Sequence, residues 1–95
     1  MGRFKARHKF LNDIFNNEDK IAKSEDAENW LKVICETYET AGQKKLPIAE
    51  IASRRFRKKE FYIYTCVMTG ISPAKYYRLL SIFFKIAEKK IETIF

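Results

Sequence analysis

The chemistry open to this chain rests almost wholly on its cations. In "SRRFRKKEF", residues 53–61, Arg54, Arg55, Arg57, Lys58 and Lys59 fill five of six consecutive positions, with only Phe56 between them. Six positions on a helix turn through more than a full circle, so the five side chains cannot all face one partner. Arg54 and Lys58 share a face, as do Arg55 and Lys59. Four residues away along the helix, only Glu50 reaches one of them, Arg54. Cations at this density repel one another unless an anion relieves them, and phosphate is the anion expected.

A second set lies in "FYIYTCVMTGISPAKYYRLLSIF", which reads as helix, tight turn at "GIS", and helix. Helix-turn-helix DNA readers keep a small residue four before the turn glycine, an aliphatic just after it, and apolar residues six and nine after it. Cys66, Ile71, Tyr76 and Leu79 hold those places here. In that geometry the second helix presents Lys75, Tyr77 and Arg78 near its N-terminal end, where base edges and phosphates are met. Its outer face continues through Lys85 and Lys89, interrupted by Ile82. An overlapping stretch, "IAEIASRRFRKKEF", resembles the opening of many helix-turn-helix units but has Phe56 where the turn glycine belongs. Its would-be reading helix, "FYIYTCVM", is apolar, so this stretch is expected to support the core and give its cations to the phosphate backbone. The start, "GRFKARHK", suits an arm along DNA with Arg3, Lys5, Arg7 and Lys9 on phosphates.

Other chemistries find little material. His8 is the only histidine and lies in the basic start, so no Ser-His-Asp or Cys-His set can be assembled, and a solvated His8 is expected. There is no glycine-rich phosphate loop and no metal-ligand spacing, so neither a cofactor nor a metal is expected, and the chain is not read as an enzyme. Tyr76 and Tyr77 beside Arg78 read as core and interface. Cys35 and Cys66 sit among apolar neighbours and read as reduced core thiols.

The elements that must position these residues follow from periodicity. The 95 residues have 46% hydrophobic content, eight Phe and five Tyr, with only three Gly and two Pro. That suits one compact helical domain over 1–95, with 1–10 as a loose basic arm. Phe4, Leu11 and Phe15, with Phe10 and Ile14 alongside, fit a first helix ending near Asn16 and Asn17. Ser24 caps a second, acidic helix over 25–41, where Ala27, Trp30, Leu31, Ile34, Cys35, Tyr38 and Ala41 form one stripe ended by Gly42. Pro47 opens a third that buries Ile48, Ile51, Ala52 and Phe56. "FYIYTCVM" has strand propensity but no strand partner, and reads as a nearly all-buried helix, separate from its predecessor or fused to it. After Gly70, Ser72 and Pro73 cap a last helix running almost to the end, with Tyr76, Leu80, Phe83, Ala87, Ile91 and Ile94 inward.

The expectation is an all-α bundle of about five helices containing a helix-turn-helix-like hairpin. Net charge is +7, distributed as +4 over 1–12, −5 over 13–39 and +8 over 40–95. A basic face favours nucleic acid, double-stranded DNA ahead of RNA, while the acidic helix 25–41 is left for a protein partner or a second copy in a homodimer. No signal peptide or membrane-length apolar run is read, so an intracellular protein without a membrane partner is expected. The alternative is a small helical subunit of a larger complex, acting through protein contacts. Lys75, Tyr77 and Arg78 discriminate: a DNA reader exposes them, a structural hairpin tucks Tyr77 into an interface.

Overall fold

The computed structural model describes residues 6–95. They form six helices and no strand: α1 (Ala6–Asn16), α2 (Glu18–Ile21), α3 (Ala27–Gly42), α4 (Ile48–Phe56), α5 (Tyr62–Thr69) and α6 (Pro73–Ile94). The bundle has one helix more than the periodicity predicts, because α2 is a single turn inside the polar connection after Asn17. None of these helices is long and apolar enough to cross a membrane.

The last helix is the axis of the fold. At 22 residues it is about 33 Å long, and α1, α3, α4 and α5 all pack against it. Its start follows from local chemistry. Gly70 sits just past α5 at φ +73, and the Ile71 N–H reaches back to the Cys66 carbonyl at 3.2 Å, the six-to-one closure of a left-handed helix end. Ser72 Oγ then accepts from the Lys75 N–H at 3.1 Å, and Pro73 fills the first helical position without losing a hydrogen bond. A Cβ on Gly70 would meet nothing within 4 Å, so only backbone strain opposes it. Gly70→Ala is accordingly expected to cost about 1 kcal/mol in urea denaturation, lowering the midpoint without changing the slope.

The core is an aromatic cluster gathered from four helices. Phe15 of α1, Phe56 of α4, and Phe83 and Phe84 of α6 are all buried. The Phe15 and Phe83 rings lie 4.7 Å apart, and Tyr38 of α3 closes on Phe83 at 5.0 Å. Leu11, Ile34, Ile48, Ile51, Leu79 and Leu80 complete it.

Five local expectations are corrected. The inward face of α3 is turned from the predicted stripe: Val33, Ile34, Thr37 and Ala41 are buried, whereas Leu31 and Cys35 are exposed. Thr37 can enter the core because its hydroxyl donates to the Val33 carbonyl at 2.6 Å, so apolarity alone picked the wrong neighbours. The helix starts at Ala27, with Ser24 Oγ donating back to the Ile21 carbonyl, and it ends at Gly42 without a left-handed turn, since Gln43 continues in the right-handed region. His8 is buried, 3% exposed, with Nε2 3.3 Å from Glu88 Oε1 and its ring against Phe84. The last of the five is α5, which is not nearly all-buried. Only Thr65 and Cys66 are, and the helix is separated from α4 by residues 57–61, where Lys59 adopts φ 57.

Candidate nucleic-acid interface

The run that opens the sequence question is largely engaged inside the fold. Arg54 Nη1 donates to Glu60 Oε1 at 3.1 Å and Nε to Glu50 Oε2 at 3.3 Å. The hydrogen bond to Glu60 is the main reason its pKa is raised. Arg55 Nε donates to Asn12 Oδ1 at 3.1 Å and Nη1 to the buried Tyr76 hydroxyl at 3.2 Å. Arg57 grips the Glu18 carboxylate with two nitrogens, at 3.2 and 3.4 Å, and its Cζ sits over the Tyr38 ring, 3.9 Å from the centroid. Lys59 Nζ donates to the Asn16 carbonyl at 2.7 Å. Lys58 alone of the five is exposed and without a partner among the described residues.

These contacts fasten the α4–α5 turn to α1, α2, α3 and α6. They also answer the repulsion problem, since Glu18 and Glu60 supply anions that the search at four residues' spacing misses. Glu18 lies 39 residues from Arg57 in the chain.

One partner is imperfect. The Tyr38 hydroxyl beneath Arg57 is buried with no hydrogen-bond acceptor or donor within the described residues. Burial raises its pKa well above the ordinary tyrosine value, against the opposing pull of Arg57. Tyr38→Phe is therefore expected to be neutral or to stabilise by up to about 1 kcal/mol in thermal unfolding. The sign with pH is fixed: a folded-state pKa above the unfolded value of 10.0 gives stability present below pH 10 that is lost as pH rises beyond it. The Phe variant should lose less stability there.

A row of exposed cations lies elsewhere, on α6. Lys75, Arg78, Ile82, Lys85 and Lys89 recur at spacings of 3, 4, 3 and 4, which puts them on one stripe of the helix. Lys75, Arg78, Lys85 and Lys89 are exposed, and among the described residues no side-chain partner holds any of them. The stripe runs about 21 Å from Lys75 to Lys89. No carboxylate occurs in the chain between Glu60 and Glu88, and Glu88 is turned to His8; Glu92, exposed, follows one turn beyond.

At its C-terminal half the stripe borders a groove of about 340 Å³ between α6 and the end of α3. Ile82 and Ile86 line it together with Lys44, Lys85, Lys89, Lys90, Thr40 and Thr93. Lys44 is exposed, and Lys90 Nζ stands 3.9 Å from Glu36 Oε1, a loose pair. Sequence reading missed Lys44 and Lys90. Lys44 belongs to a loop whose place beside α6 depends on how α3 packs, and Lys90 follows Lys89 too closely to share its stripe.

The structure therefore brings Lys75, Arg78, Lys85 and Lys89 together and puts Arg54, Arg55, Arg57 and Lys59 to internal use. Tyr77 is half-buried, its ring 5.8 Å from Tyr62 and 5.1 Å from Tyr76, so it is not presented as Lys75 and Arg78 are. Arg3, Phe4 and Lys5 lie outside the described residues, as does the side chain of Arg7. Of the cysteines, Cys66 is buried, which pushes its thiol pKa up, and Cys35 is exposed. Among the described residues no group of three or more His, Cys, Asp or Glu is placed to hold a metal ion.

No protein-family model matches the chain, and no curated protein or solved structure matches it significantly.

Proposed function

We propose that this protein binds nucleic acid, with duplex DNA as the preferred form, through the cationic stripe of α6. The observation that carries this reading is the alignment of four exposed cations on one face of the longest helix, none with a side-chain partner among the described residues, and three of them in the carboxylate-free stretch between Glu60 and Glu88. Lys85 and Lys89, with Lys44 across the groove, hold phosphates. Lys75 and Arg78, near the helix start behind the Gly70 turn, approach the base edges in the manner of a helix-turn-helix hairpin.

Duplex is favoured over single strands because the stripe offers no aromatic platform. Single-strand binders stack bases on exposed rings, whereas Tyr76 is buried and Tyr77 packs against Tyr62. In this account the cations of residues 54–59 are mainly structural, and Lys58 alone of them is free for phosphate.

Fluorescence anisotropy with labelled duplex DNA, single-stranded DNA and duplex RNA tests the reading. Tightest binding to duplex DNA is expected. Equal weak binding to all three at physiological salt would overturn it. With a selected site in hand, Lys75→Ala and Arg78→Ala should each narrow the gap between specific and random duplex by about 1–3 kcal/mol. An equal loss on both sequences would make the two residues phosphate contacts only.

A second reading, a subunit of a larger assembly, draws on a different surface, the outward side of α5.

A further inference from the structure

The helix α5 is amphipathic in the wrong sense for a bundle. At 100° per residue, Phe61, Ile63, Tyr64, Val67 and Met68 fall within an arc of about 160°, and this arc faces out: Val67 is 74% exposed, Ile63 61% and Phe61 84%. The opposite arc, Tyr62, Thr65, Cys66 and Thr69, faces in. Its threonine hydroxyls are satisfied there, since Thr65 Oγ1 donates to Glu60 Oε1 at 3.1 Å and Thr69 Oγ1 to the Thr65 carbonyl at 2.6 Å. The fold has turned the threonine hydroxyls inward and left Phe61, Ile63, Tyr64, Val67 and Met68 in water. The face amounts to an apolar patch on the order of 500 Å², at the upper end of what a monomer leaves uncovered.

We propose that this face is covered by the same face of a second copy, α5 against α5 across a two-fold axis. Charge decides the occupant. Residues 61–74 contain no charged side chain, so an isologous contact centred there buries no ion and needs no counter-ion from the partner. The only side-chain hydrogen-bonding group on the face is the Tyr64 hydroxyl, of the residue type that interfaces favour because it joins a large apolar ring to a polar tip. Pairing two such patches buries on the order of 1,000 Å², the lower limit for a specific interface, which makes the dimer reversible and dependent on concentration. Cations flank α5 in the chain, Lys58 before it and Lys75 after it, both exposed. Bringing two copies together crowds these like charges, so salt strengthens the association. This proposal does not rest on the nucleic-acid reading, and the signs separate the two: salt weakens phosphate contacts and favours the dimer.

Sedimentation equilibrium of the full chain, from low-micromolar to several hundred micromolar, at low and high NaCl, provides the test. The expected result is a monomer–dimer equilibrium that tightens with salt. Val67→Asp and Ile63→Asp each shift it toward monomer by roughly tenfold or more, while Leu31→Asp on α3 leaves it unchanged. All three sites are exposed, so circular dichroism should match the parent. A monomer at every concentration overturns the proposal. So does a dimer indifferent to Val67→Asp, which puts the interface elsewhere, as on the acidic face of α3. Flotation with phosphatidylglycerol vesicles that is lost in Val67→Asp, together with a monomer in solution, would assign the face to a bilayer instead.

Discussion

Phe83→Ala is expected to cost about 3–5 kcal/mol, a large part of the 5–15 kcal/mol that holds an ordinary domain folded. Phe83 is fully buried, and its ring meets Phe15, Tyr38, Phe56 and Phe84. These partners come from α1, α3, α4 and α6, so the cavity would open where four helices converge. None of them can move in to fill it without dragging its own helix. In urea the midpoint should fall by roughly 2 M. A loss below about 1 kcal/mol would mean that the aromatic cluster closes around the gap, and that the helices are held chiefly by their rims.

The second large effect separates the two sets of cations. Replacing Lys75, Arg78, Lys85 and Lys89 together by alanine should weaken duplex binding by roughly 100-fold at low salt, since each cation that meets a phosphate releases a counter-ion. Thermal stability should hardly change, because these side chains are exposed and without partners among the described residues. Replacing Arg54, Arg55 and Arg57 should do the reverse. It strips Glu60 and Glu18 of their cations, leaves the buried Tyr76 hydroxyl without the Arg55 nitrogen, and lowers Tm by several degrees. Binding measured well below that Tm should fall only modestly. If the arginine variant folded normally and lost most of its affinity, the turn would be the phosphate site and the stripe an ordinary solvated face.

Much of the architecture was legible because it is local. Ser72 and Pro73 announce the start of α6 through one hydrogen bond and one missing donor, and Gly70 announces the turn before it. The inward positions Tyr76, Leu80, Phe83 and Ala87 follow from helical spacing alone. What was not legible depends on tertiary pairing. Glu18 and Asn12 are invisible as partners of Arg57 and Arg55 until α1 and α2 are folded over the turn. The solvated expectation for His8 failed for the same reason, since Glu88 lies 80 residues away.

The case of α5 is different. "FYIYTCVM" is apolar nearly all round, and composition then suggests burial without saying which side. The two threonines mark the inward face only once their hydroxyl partners are known. As for the candidate site, Lys75, Arg78, Lys85 and Lys89 were each recognisable at their spacing. Their standing relative to "SRRFRKKEF" was not, because a count of cations does not tell a clasp from a free surface.

The central claim is that the α6 stripe meets phosphate, and the salt dependence of duplex binding tests it most directly. Anisotropy titrations across a range of NaCl should give a plot of log K against log[salt] with a slope of about −3, one counter-ion for each of the phosphate-holding cations Lys44, Lys85 and Lys89. In the Lys85→Ala, Lys89→Ala double variant the slope should become shallower by about 2. A slope near zero in the parent, or one that the double variant leaves unchanged, would contradict the account.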